Sequence, residues 1–155
     1  MIEADIKVVD AKLMPHAMFL GHPENYKLDI YVASKAYHAP MWRRHRETLK
    51  SSGINIIARW IDVDENVAGF SFQKLWDDCL EDVMRSDAMI LFQAPGDVLT
   101  GALVETGAAL THDIPVHWTG HDVALRSFTN HRLMHRHDDL DAVFAYLKSI
   151  TRRGM

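Results

Sequence analysis

Four times along the chain, a compact apolar run gives way to a longer segment whose apolar residues recur at helical spacing. "LDIYVAS" (28–34), "INIIARW" (54–60), "AMILFQA" (88–94) and "IPVHW" (114–118) are the short runs. Rich in β-branched residues and lacking polar alternation, they suit parallel strands buried on both faces. Between and after them come "PMWRRHRETLKSSG", "SFQKLWDDCLEDVMRSD", "GALVETGAALTHD" and "DDLDAVFAYLKSI". In the first, Pro40 fits an opening helical turn, Met41, Trp42 and Leu49 share a face, and Gly53 is placed as a stop. In the second, Leu75, Trp76, Cys79, Leu80, Val83 and Met84 form one stripe, and in the last Leu140, Val143, Phe144 and Leu147 do so. Parallel strands need helical crossovers, and right-handed crossovers cover both faces of a sheet, so the alternation predicts a doubly wound α/β domain.

Ligands of such sheets sit outside the carboxyl ends of the strands. Here that edge is built by "ASKAYHAP", "DVDENVAGFS", "QAPGDVLTG" and "TGHDVALRS". Residues 1–26, with "IKVVDAKLM" and turn-rich "GHPENYK", read as a short strand and loop ahead of a single domain over 27–155.

The chain's 155 residues suit one core. A net charge of −4 argues against a sequence-independent grip on nucleic acid or an anionic membrane, leaving a small or locally recognised partner. Cys79 is the only cysteine, which excludes an internal disulfide and agrees with a reducing cytoplasm. "MIEAD" lacks the positive charge of a signal peptide and "AMFL" is too short to span a bilayer, so the expected location is cytoplasmic.

Within "PGDVLTGALVETGAAL", Glu105 is the one acid of the glycine-, alanine- and aliphatic-rich run "GALVETGAAL". A helix starting near Gly101 places it in the first turns, just beyond the third strand's loop. The helix dipole favours its ionised form unless burial opposes it. Gly101 and Gly107 remove side-chain bulk, which admits a ligand or a neighbouring backbone. From the pattern alone two readings stand, a solvent-facing glutamate complementing the dipole or a carboxylate that does chemistry.

The layout "DIYVAS", "SDAMILF", "GALVETGAAL" and "IPVHW" resembles the nucleoside 2-deoxyribosyltransferase superfamily, including its 2′-deoxynucleoside 5′-phosphate N-hydrolase branch. The resemblance spans residues 28 to about 147. It implies a flavodoxin-like, Rossmann-like sheet in three α/β/α layers, with Glu105 attacking the anomeric carbon of a nucleoside or nucleoside 5′-monophosphate. A carboxylate beside that carbon stabilises oxocarbenium character or closes onto it as a glycosyl ester, and water or a second base completes hydrolysis or transfer. The resemblance also implies that Tyr31 contacts the nucleophile, that Asp87 matches a recurring aspartate, and that pockets are completed across a homodimer or larger homo-oligomer. Ser127 is the residue expected to serve a neighbouring subunit. No cofactor is implied.

Two positions depart from that pattern. Cys79 stands where an aspartate is usual, with Asp78 beside it and Asp82 one turn later, and Leu99 stands where another is usual, with Asp97 two positions upstream. Asp78, Asp87 and Asp97 are therefore candidate substrate contacts, together with Ser34 and Gly101. Lys35, Arg43 and Arg44 are within reach of a phosphate or form a solvated face, with no glycine-rich phosphate motif beside them. His117, His121, His131, His135 and His137 raise the question of a metal, but they include no HExxH and lie around an edge strand and loop, which favours surface or interface histidines. No metal is expected. Trp42, Trp60, Phe70, Phe72 and Trp76 read first as core and second as a base-stacking wall, for which Phe70 and Phe72, near a ligand-edge loop, are the better candidates. A non-catalytic nucleotide-binding module on the same fold is the alternative.

Overall fold

The computed structural model describes residues 27–121 and 127–153. The strand and loop expected within 1–26, and residues 122–126 of the fourth ligand-edge loop, lie outside the described residues.

Five parallel strands form one sheet in the order β2-β1-β3-β4-β5. They are β1 (Leu28–Ala33), β2 (Ile54–Ile56), β3 (Ala88–Phe92), β4 (Val116–Thr119) and β5 (Met134–Arg136). This is the flavodoxin-like order of the doubly wound folds, and its direction reverses between β1 and β3. Central β1 is buried at five of its six positions, all but Asp29, as its largely apolar sequence requires.

The helices are α1 (Ala39–Leu49), α2 (Phe72–Arg85), α3 (Gly101–Thr111) and α4 (Leu140–Arg153). Helices α2 and α3 pack on each other and on β1. Across the sheet, α1 meets α4 where the His45 and Phe144 rings lie tilted at 56° with centroids 4.8 Å apart. Gly53 follows a short 3-10 extension of α1 with φ 78°, the left-handed conformation that lets glycine stop the helix. The Ser71 hydroxyl caps α2 by accepting from Lys74 N.

Two expectations need correction. The run 54–60 is strand only to Ile56, because Arg59 is drawn off the edge strand by Asp82. Its backbone N–H and Nε both donate to that carboxylate, at 2.9 and 3.0 Å. Met84 is exposed rather than part of the α2 stripe, and the buried Asp82 takes a place on that face instead. The edge strand expected among the late histidines is β5, bonded only to β4.

Candidate functional site

A cavity of about 330 Å³ opens at the carboxyl ends of β1 and β3, where the sheet order reverses. One wall is the loop after β1, Ser34 to Ala36; another is Leu99 to Ala102 at the amino end of α3; α2 contributes Phe72, Leu75, Trp76 and Cys79. Trp60, Glu65 and Glu105 complete it. Thr100 places no side-chain cap on α3, so the helix's partly positive amino end faces this space.

Glu105 is held here by the pattern of α3. Ala102, Glu105, Thr106 and Ala109 occupy the buried stripe at i, i+3, i+4 and i+7, so the carboxylate faces inward rather than into solvent. It is 8% exposed, and its Oε2 is buried without a hydrogen-bond partner. Burial prevails over the dipole: it pushes the Glu105 carboxyl up to about 7, with the nearby Tyr31 phenol acting in the opposite direction. At neutral pH the group is therefore divided between its two forms.

Tyr31, in β1, is fully buried, and its Oη also lacks a hydrogen-bond partner. Burial first, then the charge of Glu105, hold the phenol far above its ordinary range, so it stays protonated. Burial likewise pushes the Cys79 thiol up to about 11. Phenol and thiol feel the carboxylate across short distances, but Tyr31 Oη and Glu105 Oε2 form no hydrogen bond of ordinary geometry.

The cavity brings together Ser34, Gly101 and Glu105, while Tyr31 lies outside the lining, near Glu105. Ser34 Oγ accepts from Trp42 Nε1 at 2.9 Å and donates to Lys35 O at 3.0 Å. Gly101 is needed for a close approach, since a Cβ there would stand 3.2 Å from the Trp76 ring. Gly107 is not: nothing lies within 4 Å of where its Cβ would be.

Four other candidates lie outside the lining. Asp78 pairs with Lys74 at 2.9 Å and Arg59 at 3.4 Å and borders a neighbouring cavity of about 320 Å³. Asp87 precedes β3, at the opposite end of the strands, where its Oδ2 accepts from Asp29 N at 2.8 Å. Asp97 is buried and accepts from the Tyr37 hydroxyl, from Ala94 N at 3.1 Å and from His38 Nε2 at 2.8 Å. It thus ties the loop after β3 to the loop after β1. Ser127 is exposed at the start of a 3-10 turn.

The lining also holds residues that the sequence did not single out for a site. Glu65 and Thr100 lie in polar loops where their residue types are ordinary. Of the aromatic set, read first as core and second as a wall, Trp60 and Trp76 border the cavity. Phe72 does so too, whereas Phe70 borders the neighbouring cavity and meets Phe72 edge-on at 4.9 Å. Among the histidines, His117 Nδ1 and His137 Nε2 are 3.0 Å apart, and His135 stacks on His117. Among the described residues, no group of three or more His, Cys, Asp or Glu side chains could hold a metal ion. No described helix is long and apolar enough to cross a membrane.

No protein-family model matches the chain, and no curated protein matches it in sequence. Solved structures resemble it in fold. A 2-deoxyribosyltransferase from Leishmania mexicana superposes with TM-score 0.60 at 13% identity, covering 79% of this chain and 97% of its own. The Bacillus psychrosaccharolyticus 2-deoxyribosyltransferase gives 0.58 at 19%, covering 76% and 91%. The Clostridium botulinum CMP N-glycosidase BcmB gives 0.55 at 13%, covering 78% and 98%. The chain shares the Rossmann-like three-layer α/β architecture of these proteins, which cleave or transfer at N-glycosidic bonds.

Proposed function

We propose that this protein cleaves the N-glycosidic bond of a nucleoside or nucleoside 5′-monophosphate, by hydrolysis or transfer, with Glu105 as nucleophile. The observation that carries this reading is the Glu105 carboxylate, buried, without a partner at Oε2, and lining a cavity at the sheet's switch point. A carboxylate placed there has little to do for the fold, because its burial is unfavourable and uncompensated. As charge develops at the anomeric carbon, the same desolvated carboxylate becomes favourable, so its interaction is strongest in the transition state. One oxygen closes onto that carbon to give a glycosyl ester, and water or an incoming base opens it.

Tyr31 and Cys79 stay neutral beside Glu105 and add no competing negative charge. Ser34, Lys35 and Thr100 are the polar groups on which sugar hydroxyls or a 5′-phosphate can rest. On this reading the protein acts in the cytoplasm as a homo-oligomer, and exposed Ser127 is the residue offered to a neighbouring copy. The test is incubation of the purified chain with ribo- and deoxynucleosides and their 5′-monophosphates, followed by detection of free base. Release by the native chain, reduced at least a hundredfold in Glu105→Ala, supports the reading. No release from any substrate, or undiminished release by the variant, defeats it.

A further inference from the structure

The cavity combines an aromatic surface with acids, and that combination bears on which base it accepts. Trp60, Phe72 and Trp76 line it. Trp60 is fixed by a 2.7 Å hydrogen bond from Nε1 to the Val32 carbonyl, and Trp76 sits where Gly101 leaves room. The ionisable residues of the lining are Lys35, Glu65, Cys79 and Glu105, and burial keeps the thiol protonated. Among the described residues no cation is paired with Glu105, whose Oε2 is buried and unpartnered. A desolvated carboxylate without a counter-ion is unfavourable, and a ligand that carries the positive charge removes that cost. Aromatic faces attract the same cation through their ring quadrupoles. The amino end of α3, at Thr100 to Ala102, suits the oxygens of the sugar.

Leaving-group chemistry points the same way. A neutral base needs a proton as it departs, whereas a base that is already cationic leaves as a neutral molecule without a general acid. We propose that the preferred substrates are nucleosides whose base carries a fixed positive charge, an N7-alkylated purine or an N-ribosylpyridinium, held with the base among Trp60, Phe72 and Trp76. This rests on Glu105 acting as the nucleophile. A Glu105 oxygen bonds the anomeric carbon, the bond to the base nitrogen breaks, and its electron pair neutralises the ring. A water oxygen then bonds the same carbon, the ester bond returns its electrons to the carboxylate, and the surplus proton of water passes to solvent.

The experiment compares guanosine with 7-methylguanosine and adds nicotinamide riboside, each rate divided by its spontaneous rate in the same buffer. The expected enhancement is at least tenfold larger for the cationic member and is lost in Glu105→Gln. Trp76→Leu is expected to raise KM for the cation severalfold with little change in kcat. Calorimetric titration of the native chain with 1-methylnicotinamide and with neutral nicotinamide gives a readout independent of how that variant folds. Tighter binding of the cation, with proton release near pH 6 that Glu105→Gln abolishes, supports the proposal. Equal or greater enhancement for guanosine, or no preference for the cation in binding, overturns it, and the former leaves N-glycosidic cleavage standing. Cation-selective, proton-releasing binding with no cleavage of any substrate upholds the charge preference and overturns the cleavage.

Discussion

Tyr31 Oη and Glu105 Oε2 are both buried and both without a hydrogen-bond partner, and the phenol lies close enough to act on the carboxyl. Tyr31 lowers the proton affinity of Glu105 against the larger effect of burial. Removing the hydroxyl in Tyr31→Phe therefore moves the carboxyl further up from about 7. The alkaline shift should appear in the pH dependence of base release, whose acid limb moves to higher pH. Stability should change little, because the lost hydroxyl satisfied no partner. An unmoved acid limb would show that the phenol does not act on the carboxylate.

Asp97 offers a different prediction. Its carboxylate joins Tyr37 and His38 to the turn at Ala94, and so fixes the distance between two cavity walls. Burial opposes ionisation, but the hydrogen bonds from Tyr37, His38 and Ala94 hold the carboxyl below its ordinary value. Asp97→Ala leaves these donors unpaired and should cost about 1–3 kcal/mol in urea denaturation. It should also raise KM more than it lowers kcat, since the residue positions walls and touches no reacting atom. A lowered kcat at unchanged KM would instead place Asp97 in the chemistry.

Gly101 is the smallest element of the site with a sharp steric role. In Gly101→Ala the new methyl stands 3.2 Å from the Trp76 ring, so the indole must shift by a few tenths of an ångström. Substrate affinity should fall severalfold while the fold persists, because alanine is the better helix former at that position. Tryptophan fluorescence on ligand titration measures it, and unchanged affinity would remove Trp76 from the binding surface.

The buried carboxylate predicts an unusual stability profile. The folded-state value of about 7 lies above the ordinary 4.5, so between these values the native state holds more proton than the unfolded chain. Its contribution is complete below pH 4.5 and is lost as pH rises through 7. At about 1.4 kcal/mol for each tenfold change in proton affinity, ionisation at pH 8 costs on the order of 3 kcal/mol. Glu105→Gln should thus be more stable than the native chain at pH 8, with the difference disappearing near pH 5. Equal melting temperatures at both pH values would mean that the carboxylate is not desolvated.

Much of this was legible in the string of residues, for identifiable reasons. Strands β1 and β3 carry largely apolar runs because both faces are covered, and Gly53 stops α1 by the conformation only glycine takes readily. Glu105 was visible because a lone acid stands out among small and aliphatic residues. Its burial was not, since a glutamate in an early helical turn ordinarily complements the dipole in solvent. The role of Asp82 was hidden for a related reason: nothing in the α2 pattern announces that Arg59, twenty-three positions earlier, bonds it. Trp60 and Trp76 look like core residues in sequence because a cavity wall and a core present the same apolar spacing. The loops that add Glu65 and Thr100 have no periodicity, so their convergence depends on tertiary placement alone.

The central claim is a covalent bond to one side chain, and rapid acid quenching followed by peptide mass spectrometry tests it most directly. With a substrate that is turned over, the peptide containing Glu105 should gain the mass of the dehydrated sugar and lose it again when water or a base is allowed to react. Free base released at the native rate by Glu105→Gln, or a glycosyl adduct mapped to any other residue, would contradict the account.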